Sequence, residues 1–183
     1  MHFDKNQLYT FIDKFDKKKI SNFKNIKNVI FRNYKKKIDL KTIIKIKKEC
    51  KNKQLKFYLS NDIKLALKAN LDGVYIPSFN TSLNLNNFRN KKNKGFKILG
   101  SAHNLKEIKF KEKQGVEIIF LSPLFLTKNY KNSLGVVRFN LISRKSKKAF
   151  IALGGIRKNN QNQLKMINAE GYSGITIFNY NDK

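Results

Sequence analysis

The chain alternates short apolar runs with longer amphipathic segments. The short runs are rich in Val, Ile, Phe and Tyr. Strands that are covered on both faces of a sheet have this composition, so the runs predict buried parallel strands. The predicted strands cover residues 8–12, 28–32, 56–59, 73–76, 97–100, 117–121, 149–153 and 173–178.

Between these runs, apolar residues recur at three- and four-residue steps, which predicts helices that pack one face on the sheet. The helical pattern is found around residues 40–48, 63–69, 105–110 and 164–167. Asn61-Asp62 and Asn104 stand where N-caps are expected. Gly115 and Gly171 stand where helices are expected to end.

Strands and helices that alternate in this way predict βαβ units and a parallel sheet. Eight such strands in one domain spanning residues 1–183 predict a (β/α)8 TIM barrel. The chain is short for this fold, and two helices are expected to be abbreviated, one after Asp13 and one within residues 84–95. A doubly wound open sheet is the alternative, but no G-x-G-x-x-G motif follows the first strand.

The chain is strongly basic, with 40 Lys and Arg against 12 Asp and Glu and a formal charge of +28. Such a charge often marks nucleic-acid binding. Here the lysines are spread over separate segments, and no RNA-binding aromatic motif or helix-turn-helix pattern accompanies them. We therefore interpret the charge as a solvated surface that attracts phosphorylated small molecules, and we keep nucleic-acid binding as a remote alternative.

Cysteine and histidine are scarce. The chain has one cysteine, Cys50, and two histidines, His2 and His103. This composition excludes an internal disulfide framework and a Cys/His zinc site. No apolar run approaches the roughly 20 residues that a membrane span needs. The first residues do not resemble a secretory signal, so we expect a cytoplasmic protein.

One segment late in the chain indicates a phosphate site. A predicted strand runs directly into Gly154 and Gly155, in the penultimate strand–helix unit. In TIM barrels, the loops after the last two strands commonly bind phosphate through backbone N–H groups, and glycine lets an anion approach closely. The alternative is that the two glycines only form a tight turn.

Several motifs form an ordered set. They are LYTFID at 8–13, the strand at 28–34, DGVYI at 72–76, GSAHNLKE at 100–107, LSPLFLT at 121–127, LG at 134–135 and ALGGI at 152–156. In order and spacing, this set resembles the thiamine-phosphate synthase/TenI family over nearly the whole chain. The chain is most similar to a short, divergent branch, in which a Ser-Pro-Leu-Phe run replaces the commoner Gly-Pro-Val-Phe.

The resemblance implies a (β/α)8 barrel and a transferase. The implied reaction joins an aminopyrimidine diphosphate to a thiazole phosphate, releases pyrophosphate and forms thiamine phosphate. Pyrophosphate leaves first, and a pyrimidine-stabilised cation remains. The protein must then supply positive charge, usually with Mg²⁺, to hold the departing pyrophosphate.

The resemblance also implies roles for individual residues. Arg32 matches a diphosphate-binding arginine, and Ser101 matches a serine near the pyrophosphate and the pyrimidine. Thr127 matches the first threonine of the pyrophosphate loop. Gly155 and the backbone around Ile175-Thr176 match the thiazole-phosphate site.

The chain departs from the family pattern at phosphate-binding positions. Ile30 replaces a glutamine, and Tyr34 replaces a lysine. Tyr130 falls near the position of the pyrophosphate-loop lysine. Either Lys128 or Lys131 would therefore have to take the role of that lysine.

It also departs from the pattern at the implied magnesium site. Asn80 stands where an acidic ligand is expected, and a neutral amide binds Mg²⁺ less well than a carboxylate. The Asn-Asp pair after the third strand is present as Asn61-Asp62, although an alignment to Ser60-Asn61 is the alternative. Asp62 is then the one candidate metal ligand.

His103 indicates a second activity. In TenI-type thiazole tautomerases, a histidine in the same Ser-x-His segment transfers protons on a thiazole phosphate carboxylate. Histidine exchanges protons near neutral pH, which suits that task. A tautomerase needs no magnesium acids, so it is the closest alternative, beside a phosphate-binding barrel with altered chemistry.

Overall fold

The computed structural model describes residues 7–35, 38–84, 88, 94–128, 130 and 132–174. Its strands are β1 (Leu8–Ile12), β2 (Asn28–Phe31), β3 (Lys56–Ser60), β4 (Gly73–Ile76), β5 (Lys97–Ala102), β6 (Ile118–Leu121), β7 (Ala149–Leu153) and β8 (Gly171–Ser173). Each strand is parallel to its neighbours, and β8 pairs with β1. The barrel is therefore closed in chain order, and the predicted (β/α)8 fold is confirmed.

Helices cover the outside of this barrel. They are α1 (Lys17–Ser21), α2 (Leu40–Asn52), α3 (Ile63–Lys68), α4 (Leu105–Lys113) and α5 (Gly135–Ser143), with a 3-10 helix at Lys158–Met166. The five-residue α1 is the abbreviated helix expected after Asp13, whereas most of 84–95 lies outside the described residues. No helix in the described part of the chain is long and apolar enough to cross a membrane.

The predicted helix caps are confirmed at three positions. Asp62 and Asn104 each accept a hydrogen bond, at 2.9 Å, from the backbone N–H three residues later, at the starts of α3 and α4. Gly115 follows α4 with φ of +79°, the left-handed conformation that commonly ends a helix.

Other predictions in the last third of the chain need correction. Gly171 does not end a helix but begins β8, two residues before the predicted strand, whose residues 175–178 lie outside the described part. A Cβ at Gly171 would lie 2.2 Å from the carbonyl oxygen of Gln7, so glycine is needed where β8 approaches the chain beside β1. The helix expected around 164–167 is the 3-10 helix, and the apolar pattern missed α5.

The apolar core has two layers. The larger layer lies between the strands and the helices and includes Ile43 and Ile46 of α2. The smaller layer fills the barrel with Tyr9, Phe11, Ile30, Tyr58, Tyr75, Leu99, Ile118, Phe120 and Ile151. Because these side chains fill the barrel, a ligand has room only beyond the ends of the strands.

Candidate active site

A cavity of about 300 Å³ lies at the carboxyl ends of the strands. Parallel strands bring all their carboxyl ends to one mouth, where loops from distant parts of the chain meet. Of the predicted site residues, the cavity is lined by Arg32, Ser101, His103, Thr127 and Gly154. The barrel thus assembles residues from four distant segments of the chain, with Ser101 and His103 in the same segment.

Arg32 directly follows β2 and is held at the cavity mouth by two contacts. Its backbone N–H donates to the carbonyl oxygen of Ile12 at 2.8 Å, which extends the pairing of β1 with β2. Its guanidinium carbon lies 4.5 Å from the centroid of the Phe11 ring, within cation–π range. No ion pair within the described residues uses this guanidinium, so its charge is available to an anion in the cavity.

Ser101 lies on β5 at the floor of the cavity and is 6% exposed. Its side chain approaches the phenol of Tyr75, which lines the same cavity. Burial raises the pKa of Tyr75 far above its usual value, so this phenol stays protonated. The pair therefore provides neutral hydroxyl groups beneath a ligand.

His103 follows β5 and lies between a carboxylate and a phenol. Its Nδ1 is 2.9 Å from Oε2 of Glu107, which also accepts the backbone N–H of His103. Its Nε2 is 3.3 Å from the hydroxyl of Tyr130. Because a carboxylate only accepts, Nδ1 donates its proton to Glu107, and Nε2 of the neutral ring is left as an acceptor on the cavity side.

The sequence motifs indicated neither Glu107 nor Tyr130 as a site residue. A glutamate four residues after the histidine, in the first turn of α4, is a signal that could have found Glu107. No local signal indicates Tyr130. It reaches the cavity because the loop after β6 returns over the mouth, where Thr127 and Tyr130 form a short bridge.

The loop after β6 offers a hydroxyl to the cavity but not the expected lysine. Oγ1 of Thr127 is buried and has no hydrogen-bond partner among the described residues, which is unusual for a buried hydroxyl. Lys128 is exposed and is not part of the cavity lining. Lys131 lies outside the described residues, and Tyr130 occupies the cavity wall instead.

The two glycines after β7 are required by packing. A Cβ at Gly155 would lie 2.5 Å from the carbonyl oxygen of Phe125, and one at Gly154 would lie 2.9 Å from Cα of Pro123. Both glycines have positive φ, +93° at Gly154 and +69° at Gly155. The tight turn therefore accounts for them without a ligand, and phosphate binding there stays a prediction, since Ile175-Thr176 lie outside the described residues.

The edge of the mouth after β3 and β4 carries amides where the family resemblance implies a metal. Nδ2 of Asn80 donates to Oδ1 of Asn61 at 2.7 Å, and Oδ1 of Asn80 accepts the backbone N–H of Ser82 at 2.9 Å. Asp62 points its Oδ1 at the start of α3 as the N-cap.

The side-chain oxygens of Asn61, Asn80 and Asp62 do not form a suitable Mg²⁺ site, because Mg²⁺ prefers oxygens that are free to face the ion. Both amide oxygens and Oδ1 of Asp62 already accept from N–H groups, and neutral amides bind Mg²⁺ less well than carboxylates. Within the described ranges, no group of three or more His, Cys, Asp or Glu could hold a metal ion.

Tyr34 stands at the position of the family lysine and makes an aromatic contact there instead. Its hydroxyl is 2.8 Å from Oγ of Ser60 at the end of β3, and its ring meets Phe79 edge-on at 5.3 Å. Phe79 belongs to the loop after β4 and lines the cavity. Side-chain contacts therefore join the loops after β2, β3 and β4, in addition to the backbone bond from Asn61 N–H to the carbonyl oxygen of Tyr75.

Comparisons with known proteins agree with this arrangement. Residues 18–178 match the model of the family described as thiamine monophosphate synthase. The thiamine-phosphate synthase of Prochlorococcus marinus is 31% identical over 134 residues, which cover 71% of this chain and 37% of that protein. The thiamine-phosphate synthase of Bacillus licheniformis is 30% identical over 132 residues, which cover 69% of this chain and 57% of that protein.

This chain thus spans less than two thirds of the length of either relative. A solved structure, the thiamine phosphate pyrophosphorylase from Pyrococcus furiosus, has the same fold, with a TM-score of 0.75 at 19% identity. The similarity covers 94% of this chain and 86% of that one. With 18–178 matched on a closed barrel, the chain belongs to the thiamine monophosphate synthase family.

Proposed function

We propose that this chain is a thiamine-phosphate synthase, a transferase that joins an aminopyrimidine diphosphate to a thiazole phosphate and releases pyrophosphate. The observation that carries the proposal is one cavity lined by Arg32, Ser101 and Thr127, three residues at positions matched to the family, and by Gly154, the neighbour of the matched Gly155. We further propose that its partners are phosphorylated small molecules rather than nucleic acid, and that it works in the cytoplasm.

In this proposal the chain stabilises the charge that develops on the departing pyrophosphate. Arg32 offers a guanidinium that can hold two phosphate oxygens, and its contact with Phe11 keeps it at the mouth. Thr127 offers a hydroxyl that has no hydrogen-bond partner in the described part of the chain. The C–O bond to the methylene carbon attached to the pyrimidine ring breaks with its electron pair on pyrophosphate, and the thiazole nitrogen then forms the new C–N bond to that carbon.

The proposal is tested by measuring pyrophosphate release from the pyrimidine diphosphate, with and without the thiazole phosphate. We expect release to depend on both substrates, and we expect Arg32→Ala to lower kcat/KM by about 100-fold, since a charge-assisted contact is worth about 1.5–3 kcal/mol. Lys56→Ala is the matched control, because Lys56 is an exposed cation at the opposite end of the barrel.

A wild-type protein that releases no pyrophosphate, over a range of Mg²⁺ concentrations and in its absence, would show the transferase proposal to be wrong. So would an Arg32→Ala variant with unchanged kcat/KM.

One observation favours a second candidate, the thiazole tautomerase. Glu107 holds the His103 ring so that Nε2 faces the cavity, beside the Tyr130 hydroxyl. A base at Nε2 can take a proton from one position of a thiazole phosphate carboxylate and return it to another, with no net change in atoms. A tautomerase would act without the pyrimidine diphosphate and would lose activity in His103→Ala, whereas a synthase would retain most of its activity.

A further inference from the structure

A buried lysine holds the loop after β4 from behind. Lys111 of α4 is 1% exposed, and its Nζ donates at 2.8 Å to the carbonyl oxygens of Pro77 and Asn80 and to Oε1 of Gln114. Gln114 is fully buried, and its Nε2 donates to the carbonyl oxygens of Asn80 and Ser82, at 2.9 and 2.8 Å. All the acceptors of these two side chains, apart from the amide of Gln114 itself, are backbone groups of one loop.

The hydrogen bonds of Lys111 and Gln114 to this loop, which we call the clamp, position one wall of the cavity. Pro77, Ser78 and Phe79 line the cavity on the front of the loop, and Lys111 reaches the same loop from the helix side. Gly100 on β5 leaves space for the lysine, since a Cβ there would lie 3.2 Å from Cδ of Lys111. Hydrogen bonds from the side of α4 therefore hold the backbone of this wall.

The clamp also places a positive charge against the implied metal position. Nζ of Lys111 lies 2.8 Å from the carbonyl oxygen of Asn80, and its direct acceptors are neutral oxygens rather than a carboxylate. A divalent cation bound at Asn80 would be repelled by this ammonium across a poorly solvated region. Each of the two amide oxygens that would face such a cation already accepts one hydrogen bond.

We infer that the ammonium of Lys111 replaces Mg²⁺ as the cation that organises the loop after β4, and that the Asn61–Asn80 edge does not bind Mg²⁺. The inference about the loop stands on these contacts, and only its bearing on anionic substrates rests on the proposed function.

The metal half of the inference is tested with Mn²⁺ as a paramagnetic probe of the magnesium position. In wild-type protein we expect Mn²⁺ to cause no selective broadening of the NMR signals of residues 60–62 and 78–82. The double variant Asn61→Asp/Asn80→Asp in a Lys111→Met background restores carboxylates and removes the ammonium. We expect selective broadening there, reversed by excess Mg²⁺.

Selective, Mg²⁺-reversible broadening of 60–62 and 78–82 in the wild type would overturn the inference. The readout needs no turnover, so a protein that binds no Mn²⁺ at this edge supports the inference even where it forms no thiamine phosphate. A protein that is an active synthase but binds Mn²⁺ here contradicts the inference alone.

The loop half of the inference is tested by amide hydrogen exchange. We expect Lys111→Met, which keeps the length and apolar stem of the side chain, to speed exchange of amides in 78–82 at least tenfold. Lys106→Met is the matched control, an exposed lysine on the same helix. Unchanged exchange in Lys111→Met would overturn the inference, and if that variant does not fold, Lys111→Gln and the wild-type Mn²⁺ measurement decide.

Discussion

The two sides of the cavity mouth are held together by different kinds of contact. We call the loop 122–126 with Gly154-Gly155 the glycine side, and the loops 60–62 and 77–82 the asparagine side. On the glycine side, backbone pairs with backbone: Leu124 N–H donates to the carbonyl oxygen of Leu153 at 2.8 Å, and Phe125 N–H donates to that of Gly154 at 3.0 Å.

On the asparagine side, side-chain contacts add to a backbone bond, in which the N–H of Asn61 donates to the carbonyl oxygen of Tyr75 at 2.8 Å. The Asn80 amide donates to the Asn61 amide oxygen, and the Tyr34 hydroxyl is hydrogen bonded to Ser60. The Lys111 ammonium donates to the backbone carbonyl oxygen of Pro77. The glycine side retains the two glycines of the ALGGI motif and carries the Ser-Pro-Leu-Phe replacement, while the asparagine side carries Asn80 in place of an acidic residue. A backbone contact depends on a few residues with special geometry, whereas a side-chain contact can be rebuilt from other residue types.

The largest expected effect is on the glycine side, from Gly155→Ala. The new Cβ would lie 2.5 Å from the carbonyl oxygen of Phe125, at φ of +69°. We expect a loss of about 3–5 kcal/mol in the free energy of unfolding, and a Tm lower by about 10 °C in a thermal melt.

Gly135→Ala separates backbone strain from the clash. Gly135 has φ of +63° but nothing within 4 Å of an added Cβ, so we expect a loss of only about 1 kcal/mol. Equal effects of the two substitutions would contradict the close packing of the glycine side.

An intermediate effect concerns Lys111 on the asparagine side and the pH dependence of stability. Burial lowers the pKa of Lys111 from 10.5 to about 8, and the charge of Glu107 partly opposes that shift. The folded state then binds fewer protons than the unfolded state between about pH 8 and 10.5, so stability should rise with pH in this window.

Between pH 8 and pH 10, we expect the unfolding free energy of the wild type to rise relative to that of Lys111→Met by on the order of 2 kcal/mol. Chemical denaturation of both proteins across this range measures the difference. Parallel pH profiles would show that Lys111 has an ordinary pKa.

The smallest expected effect is that of Tyr34→Phe. It removes the hydrogen bond to Ser60 but keeps the ring contact with Phe79, so we expect a loss of about 0.5–1 kcal/mol in chemical denaturation. Tyr34→Leu, which also removes the ring, should be more destabilising. If Tyr34→Phe is as harmful as Gly155→Ala, the asparagine side is not the more tolerant one.

The sequence by itself determined the barrel, the helix caps and the candidates Arg32, Ser101 and His103, which the structure places in one cavity. Buried strands and N-caps are local features, written in the residue types of a few neighbouring positions. The sequence did not reveal α5, whose apolar residues Val137 and Leu141 remain exposed. It also did not reveal that Gly171 begins a strand.

Only the tertiary structure decided how the mouth is held. Thirty-odd positions separate Lys111 from Pro77 and Asn80, and 27 separate His103 from Tyr130. In the sequence, Lys111 is one of many lysines, and nothing near it shows that its ammonium is buried. Such contacts depend on which strands become neighbours when the barrel closes, and no local pattern carries that information.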